Sequence, residues 1–351
     1  MSQPIKIAID AMGGEDAPKK NIAGVKLFID KNKTENFFFN LYGSKDTILQ
    51  EINKNKIEER YYKIFHTNKK VSDEMSPLSS IKNSKDTSMW NSINSQNDQT
   101  SDITLSAGNT GVLLVTSKML LKTLDGVSKP ALAGLWPNKN NMSVVLDLGA
   151  NIECDENNLV QFAEMGSALF KSLFPNEQAK VSILNIGSEE IKGTNLIKKT
   201  NNILNNLTKL GDFDYKGYIE GNKIMDGETN VIITDGFTGN IALKTAEGTA
   251  KFLTDNLKEA LSSSLLSKLS VLLSFFSLKR FKQKLDPRKY NGAIFLGLNG
   301  PVVKSHGSTD ALGFSYAIDL CYKIIKGNLM PQIKNNLSHI KNDSTEKSQL
   351  Q

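Results

Sequence analysis

Residues 103–120 (ITLSAGNTGVLLVTSKML) run from an apolar strand-like segment through a glycine turn directly into a helical pattern. The same succession recurs at 181–200 (VSILNIGSEEIKGTNLIKKT) and at 230–248 (NVIITDGFTGNIALKTAEG). Strands that alternate with helices in this way are typical of parallel sheets joined by helical crossovers. The sequence therefore predicts an α/β fold with a doubly wound, mostly parallel sheet.

The alternation extends outward from these segments over most of the chain. Several expected strands are apolar throughout, as buried parallel strands are. The predicted strands are 5–10, 37–42, 62–66, 103–107, 131–136, 144–149, 181–186, 216–220, 230–234 and 293–298. The predicted helices are 18–32, 111–122, 158–174, 193–209, 238–260 and 309–326.

These elements predict a single α/β domain over residues 1–337. Residues 72–101 are crowded with Ser, Asn, Asp and Lys, which favours a mobile polar loop or a loosely held helix over one face. Residues 261–289 belong to no strand-turn-helix unit. The polar tail, 338–351, is predicted to be disordered.

The composition excludes several classes of protein. Of the 351 residues 39% are hydrophobic, which is enough for a substantial core, so a mainly disordered chain is excluded. Cys154 and Cys321 cannot build a disulfide framework, and His66, His306 and His339 form no Cys/His cluster in sequence, so we expect no metal site. Cysteine usage favours a cytoplasmic location, and the first residues show no secretory signal.

The three glycine turns are candidate sites for a phosphate or an oxyanion. Each exposes backbone amides at the positive end of a helix dipole, and glycine lets an anion approach closely. Turns of this composition are also common structural features of doubly wound folds, so both interpretations stay open. The candidates are Gly108, Asn109, Thr110 and Gly111 in the first turn, Gly187, Ser188 and Lys192 in the second, and Asp235, Gly236, Thr238, Gly239 and Asn240 in the third.

Residues 292–318 contain another candidate site. Lys304, His306 and Ser308 come immediately before a predicted helix. Lysine neutralises an anion, and histidine transfers protons near neutral pH. The alternative is a solvated loop with no binding role.

The first strand ends at Asp10, which Gly13 and Gly14 follow, and we include all three as candidate binding residues, although this pattern is equally typical of a turn. The nucleophile motif G-x-S-x-G is absent, and neither cysteine has a base beside it in sequence. In an acyl-transfer reaction the protein need not supply the nucleophile, and direct attack by a bound anion would fit a site rich in backbone donors and lysines. The nucleotide motifs G-x-G-x-x-G (after the first strand) and G-x-x-x-x-G-K-[ST] are also absent, so we expect no cofactor.

Nine segments of the chain resemble the phosphate acyltransferase family, bacterial enzymes that move a fatty acyl group from acyl carrier protein to inorganic phosphate. Each motif alone is weak, but all nine occur in the family's order over nearly the whole chain. They are IDAMGGED (9–16), SAGNTG (106–111), KPALAGLWP (129–137), LDLGAN (146–151), FAEMGSALF (162–170), NIGSEEIKG (185–193), GYIEGNKI (217–224), TDGFTGNIALKTAEG (234–248) and GLNGPVVKSHGSTDA (297–311).

The resemblance implies a fold of the isocitrate/isopropylmalate dehydrogenase type, which phosphotransacetylases share, and a homodimer. It implies that the product, acyl phosphate, passes to a membrane glycerol-3-phosphate acyltransferase in phospholipid (phosphatidic acid) synthesis. The rival functions are a phosphotransacetylase or a dehydrogenase on the same fold, or a non-catalytic membrane-associated scaffold.

The resemblance also implies roles for individual residues. Phosphate would lie against the glycine turns, with Lys192 and Lys304 countering its charge, and would attack the thioester carbonyl. Backbone amides with Asn240 or Asn109 would stabilise the oxyanion. We expect Lys192, Asn240 and His306 to be catalytic, with His306 either protonating the departing thiolate or orienting phosphate.

The segment 261–289 accounts for the charge of the chain. The net charge is +6, and this segment holds seven Lys or Arg residues against one Asp, so the rest of the chain is balanced. If the segment is helical, the serines at 263, 267, 270, 274 and 277 lie on one face and apolar residues lie on the other. This pattern is too polar for a membrane span. An interfacial helix and a dimer-packing helix both fit. The candidate membrane contacts are Leu265, Leu269, Leu272, Phe276, Lys279 and Arg280.

Charge concentrated in one amphipathic segment indicates an anionic membrane surface as partner, so we expect a peripheral protein on the inner face of the cell membrane. Only Arg60, Arg280 and Arg288 are arginines, and arginine is the usual reader of base edges. We therefore expect no nucleic-acid partner.

Overall fold

The computed structural model describes residues 3–72, 74–207, 213–284 and 286–338. One sheet of 11 strands runs through it, in the order β3-β2-β1-β4-β11-β10-β5-β6-β9-β7-β8. The strands are Ile5–Asp10 (β1), Phe37–Gly43 (β2), Tyr62–His66 (β3), Ile103–Ser106 (β4), Ala131–Pro137 (β5), Met142–Leu146 (β6), Lys180–Asn185 (β7), Asp214–Glu220 (β8), Val231–Ile233 (β9), Ala293–Leu296 (β10) and Val302–Lys304 (β11). Every strand predicted from sequence is present, and the α/β fold is confirmed.

Three antiparallel pairings divide the sheet into halves that point in opposite directions. Neighbours in β3, β2, β1, β4 and β11 are parallel, and so are neighbours in β6, β9, β7 and β8. Between these halves β10 is antiparallel to both β11 and β5, and β5 is antiparallel to β6. The turn from β5 to β6 closes on Asn138, whose Oδ1 accepts the amides of Asn140 at 2.9 Å and Asn141 at 2.6 Å. Strands of the two halves therefore end on opposite edges of the sheet.

Helices cover both faces of the sheet. The largest apolar cluster joins Ile7 and Ile9 of the sheet to Phe28 and Phe314, and smaller clusters lie beneath α4 with α5 and beneath the first turns of α8. The helices are Lys19–Lys31 (α1), Lys45–Asn55 (α2), Pro77–Asn83 (α3), Ser88–Asn97 (α4), Thr110–Leu121 (α5), Glu156–Leu173 (α6), Asn195–Leu207 (α7), Gly236–Ser262 (α8), Leu265–Leu273 (α9), Phe275–Lys284 (α10) and Ala311–Lys326 (α11). The six predicted helices correspond to α1, α5, α6, α7, α8 and α11.

Sequence patterns did not predict β11 or α2, among other elements, and both cases have a physical reason. Strand β11 has three residues and follows Pro301, so it is too short to show a strand pattern. Helix α2 buries only Ile48 and Ile52, which leaves little apolar periodicity.

Of the two alternatives expected for the polar stretch 72–101, a loop and a loosely held helix, the structure shows helix over most of its length. It contains α3 and α4, and Met89 and Ile93 of α4 are fully buried. Two of its buried serines bond within α4: the Ser92 hydroxyl donates to the Met89 carbonyl at 2.8 Å and the Ser95 hydroxyl to the Ser92 carbonyl at 2.7 Å. Motion of this stretch stays a prediction. The predicted disordered tail lies outside the described residues from 339 onward, and residue 338 ends a helical stretch that starts at 329.

Residues 247–284 form an arm. From Glu247 to Ala260 every residue of α8 is exposed, and α9 and α10 continue the arm. The serine pattern at 261–289 thus does not form one helix. The side chain of Ser264 caps α9, and its hydroxyl is hydrogen-bonded to the hydroxyl of Ser267. Helix α9 ends before Ser274, so the helical path is interrupted there again. Among the described residues, no helix is long and apolar enough to cross a membrane.

Candidate active site

Three strand ends meet in the first half of the sheet. Asp10 of β1 pairs with Ser106 of β4, and Ser106 pairs with Lys304 of β11, so the three lie in one row across the sheet. The turns that follow these strands carry the candidates Gly13, Gly14, Gly108 to Gly111, His306 and Ser308. We call this group the first turn cluster.

A buried hydrogen-bond chain fixes the floor of the first turn cluster. The Ser106 hydroxyl donates to Asp10 Oδ2 at 2.7 Å and accepts the Gly108 amide at 3.0 Å. Burial raises the pKa of Asp10, while the hydroxyls of Ser88 and Ser106 oppose that shift. A Cβ at Gly13 would lie 2.6 Å from Asp10 Oδ2 and 2.8 Å from the Gly108 nitrogen, so only glycine fits there.

Above this floor lies a cavity of about 390 Å³ at the N-terminus of α5. Asn109 caps this helix, and its Oδ1 accepts the Val112 amide at 3.1 Å. The first-turn amides and the dipole of α5 thus favour an anion in the cavity. The lining residues are Gly14, Glu15, Ala107, Gly108, Asn109, Thr110, Gly111, Lys304 and Gly307.

Two lysines supply positive charge to the first turn cluster. The Lys304 ammonium donates to the Ser305 carbonyl and lies 3.5 Å from the Ala107 carbonyl oxygen. Burial, together with the charge of Lys20, lowers the pKa of Lys304 to about 8. Lys20 is itself buried, and its ammonium donates to the Gly307 carbonyl. Sequence reasoning missed Lys20, although a lysine in the first turn of α1 opposes the helix dipole and is therefore a signal for a nearby anion.

The imidazole of His306 is suited to donate a hydrogen bond rather than to carry a positive charge. Burial, aided by the positive charge of Lys304, lowers its pKa, so the ring is neutral at pH 7. The Ser308 amide donates to Nδ1 at 3.3 Å, and the Ser308 hydroxyl lies 3.0 Å from the same nitrogen. An accepting Nδ1 assigns the proton of the neutral ring to Nε2.

The remaining candidates form a second turn cluster, where β6, β9 and β7 end. Its centre is Asp147, which sequence reasoning included in a motif but not among the site residues. The Asp147 carboxylate accepts four backbone amides at 2.8–3.2 Å, from Leu132, Gly149, Ala150 and Asn151. The Gly236 amide donates to the Asn151 carbonyl at 2.8 Å, which joins the start of α8 to this turn.

The start of α8 places Asp235 and Asn240 in the second turn cluster. Asp235 caps the helix, since its carboxylate accepts the Thr238 amide and hydroxyl, both at 2.8 Å. Asn240 packs on Gly149, where a Cβ would come within 3.4 Å of it. Asp235 thus has a structural role as a helix cap, and a binding role of this turn and of Asn240 stays a prediction.

The turn after β7 carries Lys192. Its ammonium pairs with Glu189 at 2.8 Å, and its side chain is 45% exposed. The hydrogen bond with Glu189 raises the pKa of Lys192. Gly187 is buried against Lys192, and the Asn185 amide holds this turn by donating to the Gly187 carbonyl at 3.0 Å, while Ser188 is exposed.

Lys192 and Lys304 therefore lie in different clusters. The two lysines follow strands of opposite direction, and the expectation that both counter the charge of one phosphate stays a prediction. Helix α8 links the clusters: it begins in the second, and Lys244 and Glu247 on it influence the pKa of His306 in the first. From Gly236 to Lys244 the helix advances about 12 Å.

Large apolar side chains surround the second turn cluster. Their exposed fractions run from 50% to 82%. They are Ile152, Ile186, Ile191, Phe237 and Ile241. Among the described residues, no group of three or more His, Cys, Asp or Glu side chains could hold a metal ion.

Comparison with known proteins assigns the family. A family model described as "Fatty acid synthesis protein" matches residues 5–331. A phosphate acyltransferase of Pelagibacter ubique is 54% identical over 96% of this chain and 100% of its own length, and one of Xanthobacter autotrophicus is 39% identical over 96% and 94%.

Solved structures agree with the fold. A phosphotransacetylase from Streptococcus pyogenes superposes with a TM-score of 0.59 at 15% identity, covering 93% of this chain and 94% of that one. The EutD phosphotransacetylase from Staphylococcus aureus gives 0.57 at 12% identity, covering 92% and 94%. At this identity the likeness concerns the fold alone, but together with the two close relatives and the family match it leaves one assignment: the chain belongs to the phosphate acyltransferase family and is an acyltransferase.

Proposed function

We propose that this enzyme transfers a fatty acyl group from acyl-[acyl carrier protein] to inorganic phosphate and releases acyl phosphate for phospholipid synthesis. The observation that carries the proposal is the cavity at the N-terminus of α5, which combines helix amides with the ammonium of Lys304. Its lining suits a small tetrahedral anion, since the donors are backbone amides and one flexible cation.

The reaction needs no nucleophile from the protein. A phosphate oxygen attacks the thioester carbonyl carbon and forms a C–O bond, and the carbonyl oxygen becomes an oxyanion. Collapse of this intermediate breaks the C–S bond, and the departing thiolate takes a proton from solvent. Positioning and preorganised donors account for such catalysis.

The geometry supports different roles for the candidate residues. Asn109 and the first-turn amides of α5 are next to the cavity, which favours them over Asn240 for the oxyanion. His306 orients phosphate through Nε2–H, because a neutral imidazole is a poor acid for the thiolate. Lys192, in the turn after β7, and Asn240, near the start of α8, hold the acyl donor, and the apolar side chains around them suit its fatty chain.

The first test is the reaction itself. Purified protein is incubated with palmitoyl-[acyl carrier protein] and phosphate, acyl phosphate is trapped with hydroxylamine as the hydroxamate, and the free carrier thiol is titrated. We expect hydroxamate and thiol in equal amounts, both dependent on phosphate. A preference for acetyl-coenzyme A would instead favour a phosphotransacetylase. Reduction of a nicotinamide cofactor would favour a dehydrogenase. Inactivity with every acyl donor would favour a non-catalytic scaffold.

We further propose that the enzyme is a homodimer that docks peripherally on the inner face of the cell membrane, where a membrane glycerol-3-phosphate acyltransferase consumes the amphipathic product. Exposed Phe252 and Leu253 on α8 support pairing of two chains. Farther along the arm, Leu265, Leu272 and Phe276 are 85%, 70% and 74% exposed, and Lys279 and Arg280 follow them. The side chain of Leu269, also a candidate, lies outside the described part.

Replacing Leu272 and Phe276 by serine should abolish membrane docking. Each side chain contributes about 1.5–3 kcal/mol when buried in lipid, so the double variant should partition at least about 100-fold less. The measurement is cosedimentation with phosphatidylglycerol vesicles, with Ser270→Asn/Ser274→Asn as a matched control in the same part of the arm. Soluble activity should be unchanged in both variants. Equal sedimentation of the Leu272/Phe276 variant and the wild type would refute the docking role.

A further inference from the structure

The loop that carries Lys304, His306 and Ser308 is held by a segment from a distant part of the chain. Residues 286–291, the return segment, lead from the arm back to β10. Residues 304–310, the anion loop, lead from β11 to α11. Two side chains of the return segment contact the anion loop directly, and both lie outside the cavity lining.

Asn291 makes the closer set of contacts. Its Nδ2 donates to the Ser305 hydroxyl and to the Gly313 carbonyl, both at 2.8 Å. Its Oδ1 accepts the His306 amide at 2.9 Å. One side-chain amide thus ties the start of the anion loop to the first turn of α11.

Arg288 makes a second tie. Its guanidinium binds Asp286 at 2.6 Å and Asp310 at 2.8 Å. Asp310 caps α11 through the Gly313 amide at 2.9 Å. The carboxylates of Asp286 and Asp310 raise the pKa of Arg288, so the guanidinium stays charged. This tie holds the end of the anion loop, while Asn291 holds its start.

We propose that Asn291 is a positioning residue for phosphate binding. The inference rests on the proposed function, in which phosphate occupies the cavity beside Lys304. Anion affinity depends on donors held within about 0.5 Å of their productive positions. Without Asn291, the buried Ser305 hydroxyl and the His306 amide lose their partner, and the residues on either side of the His306 peptide shift away from the cavity.

The test compares Asn291→Ala with a matched control on the same hairpin. Asn299 also donates two side-chain hydrogen bonds to backbone carbonyls, to Leu121 at 3.0 Å and Thr123 at 2.9 Å, but at the opposite end of β10. Phosphate affinity is measured by isothermal titration calorimetry, and KM for phosphate, KM for acyl-[acyl carrier protein] and kcat by steady-state kinetics.

Asn291→Ala should weaken phosphate binding about tenfold and raise KM for phosphate by the same factor. The kcat and the KM for the acyl donor should stay within twofold of wild type, because the lost contact supports phosphate binding in the ground state. Asn299→Ala should lower the melting temperature without changing phosphate affinity. Equal phosphate affinity in wild type and Asn291→Ala, or equal losses in both variants, would overturn the proposal. If Asn291→Ala does not fold, Asn291→Ser is held to the same criterion.

The titration separates this inference from the proposed function. Wild-type protein that binds phosphate but forms no acyl phosphate would refute the proposed function, while the affinity of the Asn291 variant would still decide its positioning role. Wild-type protein that binds no phosphate would overturn both.

Discussion

Replacing Lys304 with methionine should lower kcat/KM for phosphate by about 100-fold. Methionine keeps most of the side-chain volume but removes the one ammonium that lines the cavity. Loss of one partner of a partly buried charge pair typically costs 2–5 kcal/mol, and about 2.7 kcal/mol corresponds to 100-fold. Lys54→Met in α2, far from both turn clusters and 64% exposed, is the control and should match wild type. A Lys304→Met enzyme within threefold of wild type would exclude phosphate from this cavity.

The same lysine predicts a pH dependence. Lys304 is charged below its pKa of about 8 and neutral above it, so affinity for phosphate is present at lower pH and is lost as pH rises through about 8. Because kcat/KM reports the free enzyme, it should fall tenfold per pH unit above that value. Arginine stays charged throughout, so Lys304→Arg should remove the decline, while the titration of phosphate itself is common to both enzymes. If kcat/KM of the Lys304→Arg enzyme declined with the same midpoint pH, the decline would belong to a group other than Lys304.

The strands and most helices could be predicted because burial imposes a local pattern. Buried parallel strands such as 144–146 are continuous apolar runs, and α6 repeats apolar residues at helical spacing. The α4 helix could not be found in this way, because its buried face includes Ser88, Ser92 and Ser95. The burial of Ser92 and Ser95 is compensated by hydrogen bonds within the helix, and that of Ser88 by a hydrogen bond to Asp10.

The glycine turns were found from sequence, but their grouping into two clusters was not. Strand direction decides which turns share an edge, and it is set by the two hairpins that flank β5 and β10. A short turn between two apolar runs, such as Asn138–Asn141, indicates that the following strand runs antiparallel to the preceding one. This reversal of strand direction could be recognised from sequence. Lys20 and Asn291 reach the anion loop only through tertiary contacts at large sequence separation, which no local pattern contains.

Gly239→Ala should be the most destabilising single change in the second turn cluster. A Cβ at this position would overlap the backbone carbonyl oxygen of Asp147. The Asp147 turn can move away only by breaking hydrogen bonds that its carboxylate accepts, and α8 only by breaking the hydrogen bond from the Gly236 amide to Asn151. Overpacking of this kind costs about 1–3 kcal/mol, more than the roughly 1 kcal/mol that alanine contributes over glycine within a helix.

Gly248→Ala, farther along the same helix, is the matched control, because nothing among the described residues lies within 4 Å of a Cβ there. Thermal unfolding should show Gly239→Ala melting about 5 °C below wild type and Gly248→Ala at or slightly above it. Since the two variants share the helix-propensity gain, the difference between them measures the contact of α8 with Asp147. Equal melting temperatures would mean that the start of α8 can shift away from Asp147, and the position of Asn240 against Gly149 would then not be fixed by the fold.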